Sequence, residues 1–300
     1  MISNEYSVLS DLKWSKRRIG EHIHYPIDPK FGDVKEYWES EYPTRSDTRN
    51  MDNVEIINPI FGDSFMFCSG VPKQYDVATL LTNKYPKTLF LNLSLCGSGN
   101  SRIITRLEQW ANDPLSKKTN TIILGLTSLY RFDYYMNVDN PSSLEPSNSV
   151  YDEDGIRGFN IMPQIEVNEM MTHLSNERRN KIKPSLQNIW ESYVMHQSEY
   201  PNVYYKHLET TLKRIDWITK ANNWNIIFVK NIAWEEPIHK NDIEVINKYL
   251  QDLNIENRKC SVIEIGKVQG TFVDALQCGH WGTETIKTLA RLIAKDYDVF

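Results

Sequence analysis

Five short apolar runs, at residues 54–61, 88–95, 120–127, 224–229 and 260–265, are separated by segments whose apolar residues recur at helical spacing. That alternation constrains the fold more than any other feature of the chain. A strand that is followed by a helix returns to run in its original direction. Repeats of the unit therefore build a parallel sheet, and its helices cover both faces. The helical segments are 75–85 (Ala78, Leu81 and Tyr85 on one side) and 100–112 (Ile103, Ile104, Leu107, Trp110 and Ala111). A third runs over 185–221, open to interruption at Tyr200-Pro201, with Leu208, Leu212, Ile215 and either Ile218 or Thr219 inward. The last two are 241–253 and 283–294, the latter with Ile286, Leu289, Ala290, Ile293 and Ala294 on one stripe and Thr283 as its N-cap. The expected architecture is α/β: a three-layer α/β/α sandwich around a mainly parallel five-stranded sheet.

Two regions stand outside this rhythm. Residues 1–52 are polar and aromatic, broken by Pro26, Pro29 and Pro43, and read as an N-terminal extension that covers a sheet edge or docks on a partner. Residues 53–300 read as one domain, and the segment at about 130–182 lacks periodicity, so it is either a functional insertion or partly disordered.

Composition narrows the function. The formal net charge of −5 argues against a nucleic-acid surface, and the cluster of Lys13, Lys16, Arg17 and Arg18 beside Trp14 reads as a solvated face. No apolar run is long enough to span a bilayer, and Met1-Ile2-Ser3-Asn4-Glu5 is no signal peptide, so the expectation is a cytoplasmic protein with no membrane partner. Cys68, Cys96, Cys260 and Cys278 form no CxxC pair, and Cys68, Cys96 and Cys278, in or near the strand-end loops, read as small packing residues ahead of a metal or thiol site. His22 and His24 share a face if extended, but a metal site needs more ligands. No metal and no other cofactor is expected.

In a sheet of this kind ligands bind where the strands end. The first strand stops at Gly62-Asp63-Ser64. Glycine permits a tight turn, and the amides that follow can face an anion. Ser64 is thus a candidate nucleophile, set against the plainer reading of a turn serine. Phe31-Gly32-Asp33 copies part of this pattern, but Val34 follows it and no strand is expected before it, so it is a decoy. After the second strand comes Ser94-Leu95-Cys96-Gly97-Ser98-Gly99-Asn100, a glycine-rich turn that presents backbone N–H groups. After the third comes Gly125-Leu126-Thr127-Ser128, with Arg131 beyond it, placed to anchor an anionic substrate or to pair with Asp133 or Asp154. Before the last helix come Asp274 and His280, with His239 a reserve base.

This order of motifs resembles the SGNH (GDSL-type) hydrolase superfamily over residues 54–298, with 130–222 unmatched. Gly97-Ser98-Gly99-Asn100-Ser101-Arg102-Ile103 is similar to a variant in a virus-encoded branch, which would allow association with a viral particle. The resemblance implies a flavodoxin-like fold and a serine esterase acting on an O-acyl ester of a small molecule or carbohydrate. Ser64 would be the nucleophile, His280 the base and Asp274 its orienting acid. The N–H groups of Ser64 and Gly97 would form the oxyanion hole, with Thr127 or Asn100 as a further donor. It also implies a Ser64–His280 contact of about 2.6–3.2 Å, or somewhat looser without ligand.

Two positions depart from the family pattern. Thr127 stands where the family has Asn, and Gln277 where it has an Asp three residues before the His, leaving Asp274 as the nearest acid. Loss of one oxyanion donor costs about 10²–10³ in rate and loss of the orienting acid about 10⁴. The alternative is therefore an inactive structural or binding protein on the same scaffold. A phosphate-binding module on the Gly97–Asn100 turn lacks the lysine of a P-loop.

Overall fold

A computed structural model describes residues 20–24, 34–38, 44, 46, 48, 51–69, 71–95, 98–127, 131–135, 156–160, 202–230, 259–265 and 280–300. In chain order the strands are β1 (Gly20–His24), β2 (Val34–Trp38), β3 (Ile56–Phe61), β4 (Thr88–Asn92), β5 (Thr121–Leu126), β6 (Arg131–Tyr135), β7 (Ile156–Asn160), β8 (Asn225–Lys230) and β9 (Cys260–Glu264). The α-helices are α1 (Val77–Lys84), α2 (Asn100–Ala111), α3 (Asn202–Asn222) and α4 (Thr283–Tyr297).

The five expected strands form one sheet in the order β4-β3-β5-β8-β9, parallel throughout. Counted along the chain this is 2-1-3-4-5. The direction of winding reverses between β3 and β5, so the crevice for a ligand opens where those two strands end.

Alternate residues of each strand face opposite helical layers. Ile57, Phe61, Leu91, Ile122, Leu124, Ile226 and Phe228 pack with Ile103, Ile104, Leu107 and Trp110 of α2 and with Leu212, Ile215 and Ile218 of α3. Ile60, Phe90, Ile123, Ile227, Val229 and Ile263 pack with Val77, Ala78 and Leu81 of α1 and with Ile286, Leu289, Ala290 and Ile293 of α4. The inward stripes read from periodicity are buried where they are described, except that Tyr85 and Ala111 are only partly buried. The side chain of Leu208 and the expected helix at 241–253 lie outside the described residues.

Pro59 sits inside β3, a central strand, where it has no N–H for the ladder. Side chains take over the strand pairing around it. Asn58 Oδ1 accepts from Thr121 N–H at 3.1 Å, and the Thr119 hydroxyl donates to the Ile57 carbonyl at 2.8 Å. Regular pairing of β3 with β5 is then confined to Ile60↔Ile123 and Phe61↔Leu124.

Several expectations are corrected. The N-cap of α4 is Gly282, and Thr283 is its first helical residue. The segment without periodicity contains β7, which pairs antiparallel with β6. An apolar-in, polar-out reading misses such a ribbon, because its residues do not alternate cleanly. Strand β1, which carries His22 and His24, precedes Phe31-Gly32-Asp33 and pairs antiparallel with β2. Of the extension, Thr44 and Ser46 lie along β4, the outer strand. The Thr44 hydroxyl donates to the Asn92 carbonyl at 2.6 Å, and the Ser46 hydroxyl donates to the Phe90 carbonyl at 3.3 Å and accepts from Asn92 N–H at 2.9 Å. This stretch therefore covers a sheet edge.

Candidate active site

Strand β3 ends at Phe61, and the chain turns at once. A Cβ on Gly62 would stand 2.5 Å from both Cβ and Cγ of Met66, so only glycine fits. Asp63 then organises the turn. Its Oδ1 accepts from Phe65 N–H at 3.0 Å and its carbonyl accepts from Phe67 N–H at 2.9 Å. The Ser64 carbonyl accepts from both the N–H (3.2 Å) and the hydroxyl (2.8 Å) of Ser69. Cys68 adopts φ 60° within this turn.

The turn holds Ser64 just beyond the end of β3, 8% exposed. Among the described residues neither its hydroxyl nor its N–H makes a hydrogen bond. The next residue, Phe65, carries the link to the far end of the chain. Its ring stacks on the His280 imidazole with centroids 4.9 Å apart and planes 30° from parallel, and it meets Trp281 edge-on at 5.1 Å. His280 is half-buried, its Nε2 atom enclosed, just ahead of α4. Serine and histidine are thus brought to one neighbourhood through Phe65. Among the described residues no hydrogen bond joins Ser64 to His280, and the face of the imidazole packs on the Phe65 ring.

The expected further oxyanion donors have other partners. The Thr127 hydroxyl donates to Asp63 Oδ2 at 2.6 Å. Asn100 is the first residue of α2, whose N-cap is Gly99. Its side chain pairs with the Thr127 backbone as a strand would: Nδ2 donates to the carbonyl and Oδ1 accepts from the N–H, both at 3.0 Å. Asp63, Thr127 and Asn100 form one buried chain across the reversal point. Gly97 and Asp274 lie outside the described residues. So does the side chain of Arg131, whose backbone is in β6.

Sequence reasoning missed two contributors. Asn92, at the end of β4, donates from Nδ2 to the Met66 carbonyl at 2.9 Å and accepts Ser94 N–H at 3.1 Å. An amide closing the apolar run Thr88-Leu89-Phe90-Leu91 was the available signal. Lys230 and Glu264 end adjacent strands and pair at 3.0 Å with Lys230 buried. A lysine and a glutamate each closing an apolar strand could have been paired once the strand order was known. Among the described residues no group of three or more His, Cys, Asp or Glu side chains is placed to hold a metal. Among the same residues no helix is long and apolar enough to cross a membrane.

No protein-family model matches the chain, and no curated protein matches its sequence. Among solved structures the chain is similar to TesA, at 10% identity and TM-score 0.44, over 80% of this chain and 97% of that one. It is likewise similar to the psychrotrophic esterase EstA from Pseudoalteromonas sp. (11% identity, TM-score 0.44, 81% and 96% covered). The lipase Lip_vut3 from a goat rumen metagenome is a third (10% identity, TM-score 0.46, 80% and 97% covered).

Proposed function

We propose that this chain is a serine ester hydrolase of SGNH type, acting on an O-acyl ester of a small molecule or carbohydrate. The observation that carries this reading is the placement of Ser64. It lies at the reversal point of a 2-1-3-4-5 parallel sheet, its hydroxyl unengaged among the described residues, beside a phenylalanine that stacks on His280.

Ser64 Oγ attacks the ester carbonyl carbon and forms an acyl–oxygen bond as its proton passes to a ring nitrogen of His280. The same proton goes to the alkoxide leaving group as the ester C–O bond breaks. Water, deprotonated by His280, then releases the acid and restores the serine. The N–H of Ser64, unengaged among the described residues, faces the developing oxyanion together with that of Gly97. Asp274 orients the imidazole, and Arg131 receives an anionic part of the substrate.

A fluorophosphonate probe tests this without knowledge of the substrate. Ser64 of the full chain is expected to be labelled, with labelling lost in Ser64→Ala and reduced at least about a hundredfold in His280→Ala. An unlabelled Ser64 in a folded chain overturns the reading. It would favour the alternative, an inactive binding protein on this scaffold, for which the Thr127 hydroxyl held by Asp63 and the unmade Ser64–His280 bond speak.

A further inference from the structure

We infer that Thr127 is a positioning residue for Ser64, which it holds through Asp63, and that it supplies no oxyanion hydrogen bond. This rests on the hydrolase reading for its catalytic consequence, but the contact itself can be tested independently.

A threonine hydroxyl has one proton to give. Here it goes to a carboxylate at 2.6 Å, in the range of short charge-assisted O–H···O bonds. A developing oxyanion would have to compete with that carboxylate for the proton. The two ends of the bond are also fixed. Asp63 Oδ1 is held by Phe65 N–H inside the serine turn. The Thr127 backbone is clamped on both sides by the Asn100 amide, at the first residue of α2. The hydroxyl therefore joins two rigid pieces, the Ser64 turn and the β5–α2 junction. Met66, from the same turn, lies so near Gly125 that a Cβ there would stand 2.2 Å from its Cγ, so the polar bond and the apolar contact act on the same side of the turn.

The prediction separates a tether from a donor. A tether, once cut, lets the turn open, whereas loss of a donor leaves it closed. Cys68 reports opening: it lies in the same turn, its side chain buried and its Sγ placed to donate to the Met66 carbonyl at 3.6 Å. In the full chain, Thr127→Val is expected to slow fluorophosphonate labelling of Ser64 about ten- to a hundredfold. Alkylation of Cys68 by iodoacetamide, followed peptide by peptide in the mass spectrometer, should accelerate by a similar factor. Thr127→Ser keeps the hydroxyl and should restore both rates to within about threefold. In an Asp63→Ala background, Thr127→Val should add little to either rate, because the bond it removes is already gone.

Slower Ser64 labelling with unchanged Cys68 alkylation would make Thr127 an oxyanion donor and overturn the inference. So would additive effects with Asp63→Ala, or no change in either rate. Should Asp63→Ala fail to fold, the Thr127 valine and serine variants decide alone. If wild-type Ser64 is not labelled at all, the hydrolase reading fails, and the Cys68 rates still decide whether the Thr127–Asp63 bond holds the turn.

Discussion

A methyl group added at Gly125 would place its carbon 2.2 Å from Cγ of Met66 and 3.0 Å from its sulfur. The side chain or the strand must then yield. Gly125→Ala is expected to cost about 1–3 kcal/mol, read from the midpoint of urea unfolding. Met66→Ala removes the atoms in conflict, so Gly125→Ala should cost far less in that background, with a coupling of about 1 kcal/mol or more. At this scale the sequence was legible wherever the chemistry is local. Glycine, aspartate and serine after an apolar run mark a turn at the end of a strand, and Ser64 is there. Thr127 was not legible. Its partner, Asp63, lies in the turn after another strand, and only the order of strands brings a hydroxyl and a carboxylate together. Asn100 shows the same limit: a polar residue opening a helix reads as a cap, yet its amide pairs with Thr127, just past the end of β5.

Helices α1 and α4 cover the same face of the sheet, and a surface cluster ties their ends. Tyr85 donates to Asp298 Oδ1 at 2.6 Å, and Lys84 meets Asp298 Oδ2 at 3.1 Å. The Tyr85 ring also contacts Tyr297, at 5.0 Å between centroids. The hydrogen bond from Tyr85 and then that from Lys84 hold the Asp298 carboxyl below its ordinary value. Hydrogen bonding to Tyr85 and Asp298 raises Lys84, and burial raises Tyr85. A lowered acid adds stability above its unfolded pKa and loses it as pH falls through the folded value. The raised lysine and tyrosine add stability below their unfolded values and lose it as pH climbs through the folded ones. Wild type should therefore be more stable than Asp298→Asn at about pH 7, and the difference should vanish below the ordinary carboxylate range. Denaturant midpoints across pH will show it. Lys84 and Asp298 are solvent-facing and Tyr85 is half-buried, so the difference should be small and should shrink with salt. Element by element, the helices were readable because their apolar stripes are long and regular. The ribbon of β6 and β7 was not, since short strands paired outside the main sheet leave no period to read.

For the whole molecule, the edge strand β4 is met, among the described residues, by side chains of the preceding extension. Removal of residues 1–48 would expose the Asn92 N–H and the Phe90 and Asn92 carbonyls. Open strand edges pair with other copies. The shortened chain should self-associate with rising concentration in light scattering, whereas full-length protein at the same concentration should not. The layered α/β plan was legible from the alternation alone, because each strand and helix announces itself locally. The role of the extension was legible only as one of two alternatives, because a two-residue hydroxyl contact has no signature in composition. The sheet also has an uneven connection. Strands β4, β3 and β5 are delivered in close succession, whereas the chain departs at Leu126 and returns only at Asn225, where β8 meets β5 over six residue pairs. On the ribosome, the first three strands can zip together long before the fourth has been made. The late strands then dock on a waiting template, and lengthening the excursion between them adds only about 0.6 kcal/mol of closure entropy per doubling. Such a site on the chain can accept new sequence at little thermodynamic cost, beside the mouth of the crevice where new sequence would alter what binds.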